Sequence, residues 1–287
     1  MARWWHLLSL DAPTVAVLWS WSVAAALGVR LPASALLLLA LGTWLVYVAD
    51  RILDGLHVGS PAALRERHFF YARYRTAFLI ASVPVGLLLL WLIISRMIPA
   101  ARHDDIVVFS LALIYFCVVH ICGPEAERWL PKELAVGMIF AAATAVPAWS
   151  RLSAVRTPQL IPERLFLGVT VLFFSALCWL NCVAIEKWES ARDSSRSSSH
   201  RSTLWAQRHI RQLCLGIVLA AVLAAGISSL LHATAPLTAI FLACALTAAG
   251  LGALDYWQDR VPTSSFYLRI AADAAMLTPL TFILVLR

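Results

Sequence analysis

Two sets of carboxylates in this chain sit at spacings that could do chemistry. In VYVADRILDG, residues 46–55, an apolar run ends and Asp50 and Asp54 follow four residues apart. In a helix that spacing puts both on one face, where like charges repel unless a cation sits with them. Mg²⁺ suits such a pair: it is a hard ion that takes carboxylate oxygens and keeps phosphate oxygens as further ligands. The plainer reading is a solvated helix end with Arg51 as counterion. In NCVAIEKWESARD, residues 181–193, Glu186, Glu189 and Asp193 fall at i, i+3 and i+7, with Asn181 upstream in the apolar run. Alone, this set also reads as a charged helix end balanced by Lys187 and Arg192. Together, two acidic faces leaving apolar runs on the same side could hold metal ions around one diphosphate.

Basic residues accompany both sets. RERHFFYARYR (65–75) carries Arg65, Arg67, Arg73 and Arg75, and Lys132 stands in LPKELAVG (130–137). Arg51, Arg65, Arg67 and Lys132 are the candidate diphosphate partners, since Arg grips phosphate oxygens in pairs. Any one of them also reads as topology-setting charge. Arg269 and Asp273 are spaced i, i+4 within an apolar stretch, either as an ion pair that fixes packing or as part of a site wall. Asp255 and Asp259 repeat the spacing at another helix exit, as a capped end or a contribution to the acidic mouth. His120 is flanked by apolar residues and reads as a packing residue. The six cysteines form no CxxC pair and read as small apolar packing residues, with a disulfide or metal site as the alternative. No GxSxG, HExxH, phosphate-loop or dinucleotide motif is present.

The elements that must position these residues are membrane helices. The chain of 287 residues is 61% hydrophobic and only 14% charged, spread along the whole length, which implies one polytopic membrane domain over 1–287. Nine spans are expected, at about 12–29, 31–49, 76–97, 105–122, 133–150, 164–185, 212–231, 235–254 and 264–286. The N-terminal stretch lacks the charged region and cleavage site of a signal peptide, so the first span is expected to stay. The long polar stretches 50–75 and 186–211 carry the acidic and basic clusters, and RDSSRSSSHRS (192–202) is Ser-rich and basic. Most Lys and Arg fall on one side if the N-terminus is cytoplasmic and the C-terminus outside, and both long stretches then face the cytoplasm. A bacterial inner membrane is the expected location. The net charge of +7 fits this bias, and no aromatic-basic nucleic-acid module accompanies it.

On these residues the chain resembles the UbiA superfamily of intramembrane prenyltransferases. That family has nine spanning helices and two acidic motifs, after spans two and six. Its first motif reads roughly N-D-x-x-D-x-x-x-D. Asp50 and Asp54 match the last two acidic positions, while Val46 stands where the family has Asn and Tyr47 where it often has Asp. Its second motif has the form D-x-x-x-D, which Glu189 and Asp193 keep with Glu in first place. LPKELAVGMIFAAATAVP (130–147) is similar to the segment leading into span five. The resemblance implies an all-α bundle and Mg²⁺-dependent transfer of a prenyl group from a prenyl diphosphate to a lipophilic or aromatic acceptor within the lipid. It implies Asp50, Asp54, Glu189 and Asp193 as catalytic, with Glu186 among the metal ligands. Val46 cannot ligate, so either another residue, such as Tyr47 or Asn181, supplies that contact or the first metal site is weakened. The alternatives are a degenerate member that binds a polyprenyl lipid without turning it over, or a transporter. A transporter should show internal repeats and charges at mid-membrane, and neither is visible.

Overall fold

The computed structural model describes residues 2–57, 66–122, 131–154, 160–190, 200–230, 234–261 and 263–286. Among them there are helices and no strands. In chain order these are α1 (Ala2–Leu7), α2 (Asp11–Ala26), α3 (Ala33–His57), α4 (Glu66–Arg73), α5 (Arg75–Arg96), α6 (Pro99–Cys122) and α7 (Lys132–Ala154). Then come α8 (Leu160–Ser190), α9 (Arg201–Arg208), α10 (Ile210–Leu230), α11 (Ala235–Arg260), α12 (Ser265–Ala275), a 3₁₀ turn (Thr278–Phe282) and α13 (Ile283–Leu286).

Among the described residues, seven segments are long and apolar enough to cross a bilayer: α3, α5, α7, α8, α10, α11, and the stretch from α12 to α13. The protein is an integral membrane protein on that ground. The 16-residue α2 and the 24-residue α6 occupy the other two expected positions. Pro84 and Pro147 sit inside α5 and α7 without ending them, as buried bundle helices allow. The last span departs from a single helix: α12 stops at Ala275, and Pro279, which lacks an N–H, begins a 3₁₀ turn instead.

Large apolar side chains such as Leu87, Ile94, Leu172, Leu223 and Leu230 face outward, as lipid-facing helices require. Inside, small residues let the helices approach. Gly137 of α7 lies so close to α8 that a Cβ there would meet the Trp179 backbone nitrogen at 2.8 Å and the Ser175 carbonyl oxygen at 3.0 Å. One half of the bundle is filled: Trp19 stacks on Phe174 at 4.5 Å and donates its indole N–H to the Met276 carbonyl at 2.8 Å. Leu167, Leu177, Ile240 and Ala243 complete that core. In the other half, α5 packs on α3 and α6 packs on α7. The space these four helices enclose with α2, α8 and α12 is open.

Candidate functional site

That space is a cavity of about 1410 Å³. Its walls are apolar along most of their length, with Leu39, Leu90, Phe109, Phe116, Val136 and Phe140 among them. At one end converge the C-terminal part of α3, the start of α7 and the C-terminal part of α8. They bring Asp50 and Arg51, Lys132 and Glu133, and Glu186 to the cavity wall. The reason lies in helix length: α3 and α8 run on past their apolar stretches, and α7 begins at Lys132. The charged residues at these ends are therefore helical and aimed inward.

Arg51 is buried, donates to Asp50 Oδ2 at 3.2 Å, and holds its guanidinium 5.7 Å from the centre of the Tyr47 ring. It is the local counterion that the plainer sequence reading names. Yet both members of the pair line the cavity. Val46 and Tyr47 line it too, and the Tyr47 ring meets Phe140 edge-on at 6.3 Å. Glu133 accepts from the Thr203 hydroxyl at 2.6 Å, which ties α9 to the start of α7.

The second acidic set divides. Glu186 lines the cavity, whereas Glu189 turns to α12, where its Oε1 accepts from Arg269 at 2.7 Å. Asn181 lines the cavity and donates to Asp273 Oδ1 at 3.2 Å. Arg65 and Asp193 lie outside the described residues, as do the side chains of Asp54, Arg67 and His120. Asp255 is buried away from the cavity, accepting from Lys187 at 2.6 Å, Trp188 at 3.3 Å and Arg211 at 2.9 Å, while Arg211 also pairs with Asp259. This is an ionic clamp joining α8, α10 and α11. Cys178, Cys214 and Cys244 are buried and unbridged, in keeping with packing roles.

A third group, not anticipated from spacing, stands on the same wall. His6 Nδ1 lies 2.8 Å from Asp11 Oδ2 and 3.5 Å from Asp273 Oδ2. Asp11 and Asp273 line the cavity, while His6 is buried behind them. Burial disfavours the imidazolium, but the two carboxylates outweigh it and hold His6 above its ordinary range. Arg269 therefore serves Glu189 across a helix gap, and Asp273 serves His6 and Asn181. Both belong to the site wall.

Among the described residues the one group of three potential ligands converging within 4.8 Å is His6, Asp11 and Asp273, not the carboxylates at the mouth. Asp50 and Glu186 thus offer hard oxygen donors from two helices without forming a closed cage. That fits an ion bound through one or two carboxylates with substrate phosphate completing its shell.

No protein-family profile matches the chain, and no curated protein does. Among solved structures, the chain is similar to a digeranylgeranylglyceryl phosphate synthase studied in membranes. The identity is 11% over 96% of each chain, with a TM-score of 0.46.

Proposed function

We propose that the protein transfers a prenyl group from a prenyl diphosphate to an acceptor within the membrane. One observation carries the reading. A long apolar cavity ends in carboxylates and cations drawn from three helices, Asp50 and Arg51, Lys132, and Glu186. An apolar tail with an anionic head is the ligand this shape and charge pattern fit.

In this reading the tail lies among the apolar walls and the diphosphate sits at the mouth, with the N-terminus on the cytoplasmic side. Asp50 and Glu186 would hold Mg²⁺, with Asp54 and Asp193 as the remaining proposed ligands; Glu189 would join them only on leaving its ion pair with Arg269. The chemistry a divalent ion supplies there is neutralisation of the charge that builds on the departing diphosphate. Lys132 and Arg51 bind phosphate oxygens, with Arg65 and Arg67 as further proposed partners. The apolar walls keep water from the allylic cation, and the faces of Tyr47 and Phe140 lie where they can stabilise it. Asn181 orients the acceptor end of the site.

The test is Asp50→Asn in membranes given labelled prenyl diphosphates and Mg²⁺. Diphosphate release is expected to fall by about 100-fold or more, as loss of a metal ligand and its charge implies. Release at the wild-type rate would remove Asp50 from the site.

A further inference from the structure

The mouth of the cavity holds one residue that nothing above uses. His200 lines it together with Lys132, Glu133 and Glu186. We propose that the His200 imidazole donates its Nε2–H to an oxygen of the bound diphosphate, as a neutral partner beside the charged ones. This rests on the prenyl-transfer reading and adds to it a binding residue carried by α9.

Position comes from α9. The helix begins directly after His200, which is its N-cap. Its inward face is fixed: Thr203 and Ala206 are buried, whereas Leu204 and Trp205 are exposed. Thr203 donates its hydroxyl to Glu133 Oε2 at 2.6 Å, so the first turn of α9 is pinned to the first turn of α7. α9 also packs on α8 and α10. His200 lies one turn from Thr203, and Glu133 is the neighbour of Lys132. Three helices thus bring Lys132, His200 and Glu186 to one end of the cavity.

The cap settles which ring nitrogen carries the proton. The Ser202 backbone N–H donates to His200 Nδ1 at 3.1 Å, and the Ser202 hydroxyl lies 2.7 Å from the same atom. A backbone N–H can only donate. Nδ1 therefore offers its lone pair, and the proton of the neutral ring sits on Nε2. Among the described residues nothing accepts from Nε2. A protonated Nε2 has no lone pair for a metal ion, so His200 does not join Asp50 and Glu186 as a ligand. What it can do is donate to an anion, and an N–H facing an apolar cavity needs an acceptor.

The bond serves the reaction as well as binding. As the bond from the first prenyl carbon to the diphosphate oxygen breaks, its electron pair leaves on the diphosphate. Hydrogen bonds to a charged acceptor are stronger than those to a neutral one, so the contact tightens as that charge grows. No proton is transferred; the hydrogen stays on Nε2. The cap fixes the ring beforehand, so no reorganisation is needed when the charge appears.

The experiment uses the full chain in lipid nanodiscs with Mg²⁺ and two probes. One is unreactive farnesyl thiodiphosphate; the other is farnesol, which has the tail without the diphosphate. Two variants divide the roles of His200. In His200→Ser the hydroxyl still accepts the Ser202 N–H at the cap, but the side chain is too short to reach the diphosphate. His200→Ala loses both contacts. His200→Ser should keep Tm within about 1 °C of wild type, because serine is a good cap. Its Kd for the thiodiphosphate should rise by about 10- to 100-fold, the range of a hydrogen bond to a charged group. His200→Ala should show the same rise with a lower Tm. Farnesol affinity should stay within about twofold of wild type in both variants, as the apolar walls are unchanged.

Wild-type thiodiphosphate affinity in His200→Ser overturns the proposal and leaves the prenyl-transfer reading standing. An equal loss of farnesol affinity also overturns it, since that marks an opened cavity and not a lost contact with the head. If His200→Ser does not fold, His200→Asn keeps the cap and is measured in its place. A wild type that binds farnesol but no thiodiphosphate is a distinct result: the prenyl-transfer reading itself fails, and this proposal with it.

Discussion

Gly137→Ala tests whether the cavity mouth depends on the close approach of α7 and α8. The added Cβ would lie 2.8 Å from the Trp179 backbone nitrogen, against 3.4 Å for the start of ordinary contact. The obstacle is backbone on both sides, so no rotamer change relieves it. One helix must move by roughly 0.6 Å, and overpacking of this kind costs about 1–3 kcal/mol. With roughly 2–4 °C lost per kcal/mol at this chain length, Tm should fall by about 2–12 °C. Gly137 also lines the cavity, between Lys132 at the start of α7 and the wall beyond it. The displacement therefore widens the mouth and should raise the KM for the diphosphate substrate. Gly168→Ala on α8 is the control. Nothing lies within 4 Å of its Cβ, and it should be neutral or slightly stabilising. The assay is thermal unfolding in detergent alongside steady-state turnover. A Gly137→Ala protein that melts with Gly168→Ala and keeps the wild-type KM would refute the packing argument.

Further outcomes follow from the ionic groups. His6 is held above its ordinary value of 6.5 by Asp11 and Asp273 against the opposing effect of burial, so its contribution to stability is full below 6.5. That contribution is lost as pH rises through the raised folded value, and the Tm gap between wild type and His6→Gln should narrow over that window above 6.5. Asp255→Leu should destabilise by about 2–4 kcal/mol, read by denaturation, because Lys187 and Arg211 lose their shared buried partner. The effect sits below the fully buried limit, since both cations reach water. Because Lys187 neighbours Glu186, the same variant should also weaken diphosphate binding.

Sequence periodicity was enough for the bundle because lipid leaves little choice: an apolar run of spanning length must form a helix to satisfy its backbone. Asp50, Arg51, Lys132 and Glu186 were legible for a related reason. Each is a charge at the end of such a run, where the helix continues and its direction carries over. The division between Glu186 and Glu189 was not legible. Residues three apart share a face only loosely, and Arg269, distant in sequence, decides which way Glu189 turns. Arg269 and Asp273 read as a pair by spacing, yet each makes a contact on another element. The His6 corner was hidden most fully. It joins α1, α2 and α12 through a left-handed serine, and a left-handed non-glycine residue leaves no mark in composition or period. Its faint signal was an aspartate and a histidine at the edge of the first apolar run.

The central claim, that carboxylates from α3 and α8 hold a diphosphate through a divalent ion at the cavity mouth, is tested most directly by magnetic resonance. Mn²⁺ replaces Mg²⁺ in the full-length protein with an unreactive prenyl thiodiphosphate, and the coupling of ³¹P to the metal is recorded. Strong ³¹P coupling is expected in the wild type, and its loss in both Asp50→Asn and Glu186→Gln. Absence of protein-bound Mn²⁺ in the wild type, or coupling unchanged in the two variants, would contradict it.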